Sequence, residues 1–207
     1  MPRKKRPLER DNGVVRDASL VVVASEDTHA VKQYFGRFRP RRVQFRVLGT
    51  EDGRSSPPDV MGRLDKFKDE FQIHEDDQLW VCFDTDHWVE PGHIQNLAET
   101  IRLCKQKGYR LAISQPCFEL WLLLHFVDFV PTGQLNCSEV VTLLRQVVGG
   151  YQKSHVHRLP IDSDKVLQAV LRAKGIDTTV EPIPSSPATR VYLLIEELLA
   201  REDITLV

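Results

Sequence analysis

The sequence predicts an α/β fold, a parallel sheet of about four strands flanked by helices, with a helical C-terminal extension. Three observations carry this reading. Short β-branched runs alternate with amphipathic stretches from Ser19 to Ile113. The strand candidates Leu20 to Ala24 and Leu79 to Phe83 are apolar at every position, as strands covered on both faces are. Beyond Ser114 the segments with helical spacing follow one another without an obvious further strand.

In chain order, Leu20 to Ala24 (LVVVA) reads as a buried central strand, and the polar cluster Ser25-Glu26-Asp27-Thr28 behind it suits a turn and helix start. Ala30 to Phe38 is the first helix. Val43 to Leu48 sets Val43, Phe45 and Val47 against Gln44 and Arg46, the alternation of a half-exposed strand. Val60, Leu64, Phe67 and Phe71 recur at helical spacing, and LWVCF at Leu79 to Phe83 is the third strand. Ile94, Leu97, Ala98, Ile101 and Leu103 mark another helix, which Gly108 ends as a C-cap before the fourth strand, Tyr109 to Ile113. Phe118 to Phe126, Val140 to Val148, Asp164 to Lys174 and Thr189 to Ala200 then read as helices, the last introduced by the proline-rich stretch 181–187. The boundaries drawn are a basic tail at 1–18, an α/β core at 19–130 and a helical extension packed on it at 131–207.

The chain has 207 residues, 42% of them hydrophobic and 28% charged, which excludes collagen-like, coiled-coil and wholly disordered classes. Its longest apolar runs fall far short of the ~18 residues a membrane span needs, so a cytoplasmic protein is expected. Cys82, Cys104, Cys117 and Cys137 match no zinc-ligand pair and no compact disulfide framework, and they read as reduced core thiols. The net charge of −1 hides an asymmetry. Residues 1–46 hold twelve Lys/Arg against five Asp/Glu, and the remainder sixteen against twenty-four. A basic front of this kind suits a nucleic acid or another acidic partner.

Functional side chains of an open parallel sheet gather at the carboxyl ends of its strands. That rule selects Glu26, just past the first strand, and Asp84 with Asp86, just past the third, a pattern able to aim carboxylates at a hard divalent cation. Glu119 joins them as an acid inside an apolar stretch, where it is either paired, a helix-start charge or functional. Lys32, Arg37, Arg39, Arg41, Arg42 and Arg46 form a run of cations without an intervening acid and with Tyr34, Phe35, Phe38 and Phe45 interleaved, suited to phosphate contacts. Lys153, His155, His157 and Arg158 make a second cationic patch, and His87 lies beside Asp86. No P-loop, dinucleotide-binding or α/β-hydrolase motif is present.

Read in order, Val22-Val23-Ala24-Ser25-Glu26, Tyr34-Phe35, Trp80 to Asp86, the string Ser114 to Phe126 (SQPCFELWLLLHF), Tyr151-Gln152-Lys153 and Ser185 to Val191 make the chain resemble the RloB-like family. The resemblance covers nearly everything after residue 18. It implies a TOPRIM-like core found in prokaryotic antiphage defence, at times beside an ATPase gene. Glu26 would be its general acid/base, and Asp84 and Asp86 its Mg2+ ligands (Mn2+ as a substitute), with Glu26 adjoining the metal. The expected activity is cleavage of DNA or RNA phosphodiesters, with an ATPase of AAA or ABC type as partner and self-association as an option. Where the family reads Cys-Glu-Gly followed by a Thr-Glu pair, this chain has Ser25-Glu26-Asp27 and Ala30-Val31. The alternative reading is a non-catalytic nucleic-acid- or protein-binding subunit of a defence complex, and a third, weaker one is nucleotidyl transfer.

Overall fold

The structure, a computed structural model, describes residues 18–41, 43–50, 53–86, 88 and 93–201. The basic tail through residue 17, Arg42 and His87 lie outside the described residues. The elements run β1 (Ser19–Ser25), α1 (Ala30–Phe35), β2 (Val43–Leu48), α2 (Pro57–Glu70), β3 (Gln78–Asp84), α3 (Ile94–Gln106), β4 (Arg110–Gln115), α4 (Glu119–Leu123), α5 (Cys137–Val148), a 3-10 helix at Lys153–Arg158, α6 (Ser163–Ile176), β5 (Ala188–Thr189) and α7 (Val191–Arg201).

One sheet in the order β2-β1-β3-β4-β5 results, parallel throughout except where β5 runs antiparallel to β4. Side chains alternate across it. Val21 and Val23 of β1 face one core with Trp80 and Cys82 of β3, a core completed by α1 and α4 to α7. Leu20, Val22 and Ala24 face the other with Leu79, Val81 and Phe83, covered by α2 and α3. Burying a Val, Leu or Phe side chain in this way contributes about 1.5–3 kcal/mol, which is why the central strands β1 and β3 are apolar on both faces.

Local signals explain the helix boundaries. Ser56 caps α2, with proline in its first turn, and Asn136 with Glu139 forms a capping box at the start of α5. Gly108 at φ +75° turns the chain from α3 into β4, a conformation only glycine adopts without cost. Among the described residues no helix is long and apolar enough to cross a membrane.

Two sequence expectations are corrected. The region after Ser114 does hold a strand, the two-residue β5, too short to show a period-2 pattern. Its Thr189 pairs with Ser114, and the two hydroxyls lie 2.8 Å apart. Nor are all four cysteines reduced: Cys82 and Cys104 are free and buried, but Cys117 and Cys137 form a disulfide between the segment before α4 and the start of α5. Twenty residues separate them, so the pairing belongs to the tertiary structure and leaves no local spacing signal.

Candidate functional site

The carboxyl ends of β1 and β3 are neighbours, because β1 and β3 pair in parallel with Ser25 opposite Cys82. Glu26 therefore leaves β1 beside the end of β3. Its Oε1 accepts the backbone N–H of Asp84 at 2.6 Å and its Oε2 accepts the indole N–H of Trp88 at 3.2 Å. Asp84 closes β3 opposite Ser114 of β4. The turn after it is held by Pro116, whose carbonyl accepts Thr85 N–H at 2.9 Å and Asp86 N–H at 3.1 Å, while the Thr85 hydroxyl donates to the Gln115 side chain. The Asp84–Asp86 turn is thus pinned to the end of β4 and fixed where it leaves the sheet.

Glu119 approaches from α4 and is fully buried. Its Oε1 accepts from the Tyr151 hydroxyl at 3.1 Å and lies 3.2 Å from Lys153 Nζ, and its Oε2 lies 3.7 Å from Cys137 Sγ. Lys153 also faces Asp27, at 3.6 Å. Asp27 uses its other oxygen to accept the N–H groups of His29 and Ala30 at the start of α1. No described non-glycine residue has positive φ, so Asp27 occupies this turn without backbone strain.

Four acids from two strand ends and one helix thus surround a single lysine, with Asp86 one turn position beyond. Burial, reinforced by the charge of Asp86, pushes the Glu26 carboxyl up to about 7 even though the Asp84 N–H, Trp88 and Lys153 pull it down. Burial and the charges of Glu26 and Glu119 hold Asp84 well above the ordinary carboxylate range. Burial pulls the Lys153 ammonium down, but Glu119, Asp27 and Asp84 together lift it above its usual value. Negative charge is in surplus here.

The donor set is chemically hard. Asp84 is buried at the end of β3, with the Glu26 and Glu119 carboxylates and the Lys153 ammonium as its charged neighbours. The Glu26, Asp84 and Asp86 oxygens do not converge within 4.8 Å of one another. The group that does is Cys117, Glu119 and Cys137, whose sulfurs are joined in the disulfide and offer no thiolate. A hard cation such as Mg2+ is bound through one or two carboxylates and retains several waters, so it does not require all three to converge.

Of the expected cations, Lys153 comes to the carboxylates. Arg37 instead donates to the carbonyls of Leu159 at 2.8 Å and Ile161 at 2.6 Å, tying α1 to the end of the 3-10 helix. Lys32, Arg39 and Arg41 are exposed. Sequence reasoning missed Trp88 and Tyr151. The signals were the aromatic two places after Asp86 and the tyrosine in Gly149-Gly150-Tyr151-Gln152-Lys153.

No curated protein matches the chain. A family model described as RloB-like protein matches residues 21–198, which takes in β2 to β5, all of β1 but its first two residues, and Glu26, Asp84, Asp86, Glu119 and Lys153. The chain belongs to the RloB-like family.

Proposed function

We propose that the chain is a divalent-cation-dependent phosphodiesterase of TOPRIM type that cleaves DNA or RNA. The observation that carries this reading is the surplus of carboxylates at the carboxyl ends of β1 and β3, with Glu26 hydrogen-bonded to the backbone of Asp84. Asp84 and Asp86 would hold Mg2+, or Mn2+ in its place, next to Glu26. The bound cation supplies positive charge for the scissile phosphate and makes a bound water more acidic.

The side chains of the chain do the rest. Glu26, lifted to about 7, is matched to proton transfer near neutral pH. It takes the proton of the attacking water as the new P–O bond forms, the leaving oxygen takes a proton from solvent water as the old P–O bond breaks, and Glu26 returns its proton to the hydroxide so formed. The Trp88 and Asp84 N–H bonds fix its orientation. Lys153 offers the cationic partner that a phosphate entering among carboxylates requires, and Glu119 with Tyr151 positions it. A role in antiphage defence, with an ATPase partner releasing the activity, is what the family resemblance implies for this chain.

The test is cleavage of mixed DNA and RNA by the purified protein with Mg2+, with Mn2+ and with EDTA, alongside Asp84→Ala. Cation-dependent cutting that falls at least ~100-fold in the variant is expected. A second reading, a binding subunit without catalysis, draws on Asp27, whose carboxylate is committed to the start of α1 and to Lys153 and so does not replace the acid absent at Val31. Wild-type protein that never cuts, with any cation or with an ATPase partner added, would favour that reading.

A further inference from the structure

Strand β2 is an edge of the sheet, and its outer side borders a groove of about 970 Å3 between α1 and α2. Lys32, Arg39, Arg46, Arg54 and Lys66 line it as exposed cations and Arg63 as a half-buried one, against only Asp59 and Glu70 among its acids. Among its aromatic rings Phe45 and Phe71 are half-buried, while Phe35, Phe38 and Phe67 are buried behind them. Phe45 stacks on Phe35 at 4.7 Å, and the Arg46 guanidinium lies over the rings of Phe67 and Phe71 at 5.7 and 5.9 Å.

One end of the groove abuts the backbone of the turn that carries Glu26. Because β2 is parallel to β1, its carboxyl end comes out beside Glu26. Gly49, a lining residue there, approaches the next loop so closely that a Cβ would stand 3.3 Å from the Asp27 carbonyl. Arg63 donates to the Ser25 carbonyl at 2.7 Å and to Thr50 Oγ1 at 2.8 Å, and Thr50 donates to the Glu26 carbonyl at 2.7 Å. One wall of the groove is therefore hydrogen-bonded to the backbone that carries Glu26.

We infer that this groove is the track on which a single polynucleotide strand lies as it is led to the carboxylates, an inference that rests on the phosphodiesterase reading. A polyanion is repelled by a mouth holding Glu26, Asp84, Asp86 and Glu119, so its approach needs compensating charge close by, and the six cations supply it. Six strand residues extend ~20 Å, room for several consecutive phosphates. Cations on both walls with the half-buried rings of Phe45 and Phe71 between them suit a strand that presents phosphates and base faces together. An acidic peptide added to the β2 edge would use the cations and the strand backbone but not the rings.

The test uses the full chain with Asp84→Asn, so that a bound strand is not cut, and fluorescently labelled dT20 and U20. Affinity is measured as a function of salt. Neutralising Lys32→Gln, Arg46→Gln and Lys66→Gln together is expected to weaken binding 10-fold or more at low salt. It should also make the slope of log K against log salt shallower by about 2, near 0.7 for each lost phosphate contact. Neutralising Arg102→Gln and Lys105→Gln on α3 serves as the comparison and leaves the slope unchanged. Should the triple variant melt early, the three single variants are read in its place, each expected to lose about 0.7. A strand that binds with an unchanged slope in the groove variants overturns the track and leaves the phosphodiesterase standing. Equal binding of a glutamate 20-mer overturns it in favour of an acidic peptide. A wild type that neither binds nor cuts any strand overturns the phosphodiesterase reading, and the track with it.

Discussion

Two buried clusters of charge in this molecule are built on opposite principles. Near the start of α7, Arg190 meets Asp177 through two hydrogen bonds of 2.9 and 3.1 Å, and its remaining N–H groups reach the carbonyls of Thr179, Glu181 and Pro182. Tyr192 donates its hydroxyl to the same Asp177. Every charge is matched, and the cluster closes the proline-rich segment onto the helix. At the ends of β1 and β3, by contrast, Glu26, Asp27, Asp84 and Glu119 share one lysine, and burial, reinforced by neighbouring carboxylates, lifts both Glu26 and Asp84. Burial is common to both. Balance separates them, and an unbalanced cluster costs folding free energy that the matched one does not.

The contrast can be broken most sharply at Glu26. Glu26→Gln keeps the shape and the acceptor for Asp84 N–H but removes the proton-transferring group, and nucleic-acid cleavage is expected to fall by about 100- to 10,000-fold in rate assays at saturating Mg2+. The matched cluster should respond in stability instead. Arg190→Met leaves Asp177 buried without its partner and is expected to cost about 3–5 kcal/mol, read as a drop of roughly 10 °C in a thermal melt.

Glu26→Gln sharpens the comparison a second time, in EDTA. The carboxyl of Glu26 is raised from 4.5 to about 7 in the folded chain, so its contribution to stability is fully present below pH 4.5 and is lost as pH rises through 7. The glutamine variant should thus match the wild type near pH 4 and exceed it at pH 8, by on the order of 1–3 kcal/mol in denaturant titrations. Added Mg2+ should narrow the gap by stabilising the wild type, with its extra carboxylate beside the cation, more than the variant. The smallest effect belongs to an exposed pair. Arg102→Ala breaks its bond to Glu99, yet with both side chains more than half exposed the melting temperature should not move measurably.

Much of this arrangement is legible in the sequence where the physics is local. The LVVVA and LWVCF runs mark β1 and β3 because strands covered on both faces must be apolar throughout, and the strand-end rule then points to Glu26, Asp84 and Asp86 without further information. What is not legible depends on contacts across the chain. β5 is a strand only because β4 presents an unpaired edge to it. Cys117 and Cys137 meet through the docking of α5 against α4. Lys153 reads as one more surface cation until the 3-10 helix packs on α1 and turns its ammonium toward Glu119 and Asp27. Arg37 is the converse case. It sits in a run of cations that suits phosphate contacts, yet its guanidinium serves as a strut between α1 and the carbonyls of Leu159 and Ile161.

The pairing of Ser114 with Thr189 also sets a timetable for the nascent chain. The two residues are 75 positions apart, so a ribosome adding about 5–20 residues per second needs roughly 4–15 s after completing β4 to deliver its partner strand. During that interval the edge of β4 stands uncovered, and neither Lys153 nor α7 has yet been made for much of it. The carboxylates at the ends of β1 and β3 are translated long before the parts that complete the sheet and bring in their cation. A chain whose finished form would cut nucleic acid is in this way kept unfinished while it is still threaded through a machine made of RNA.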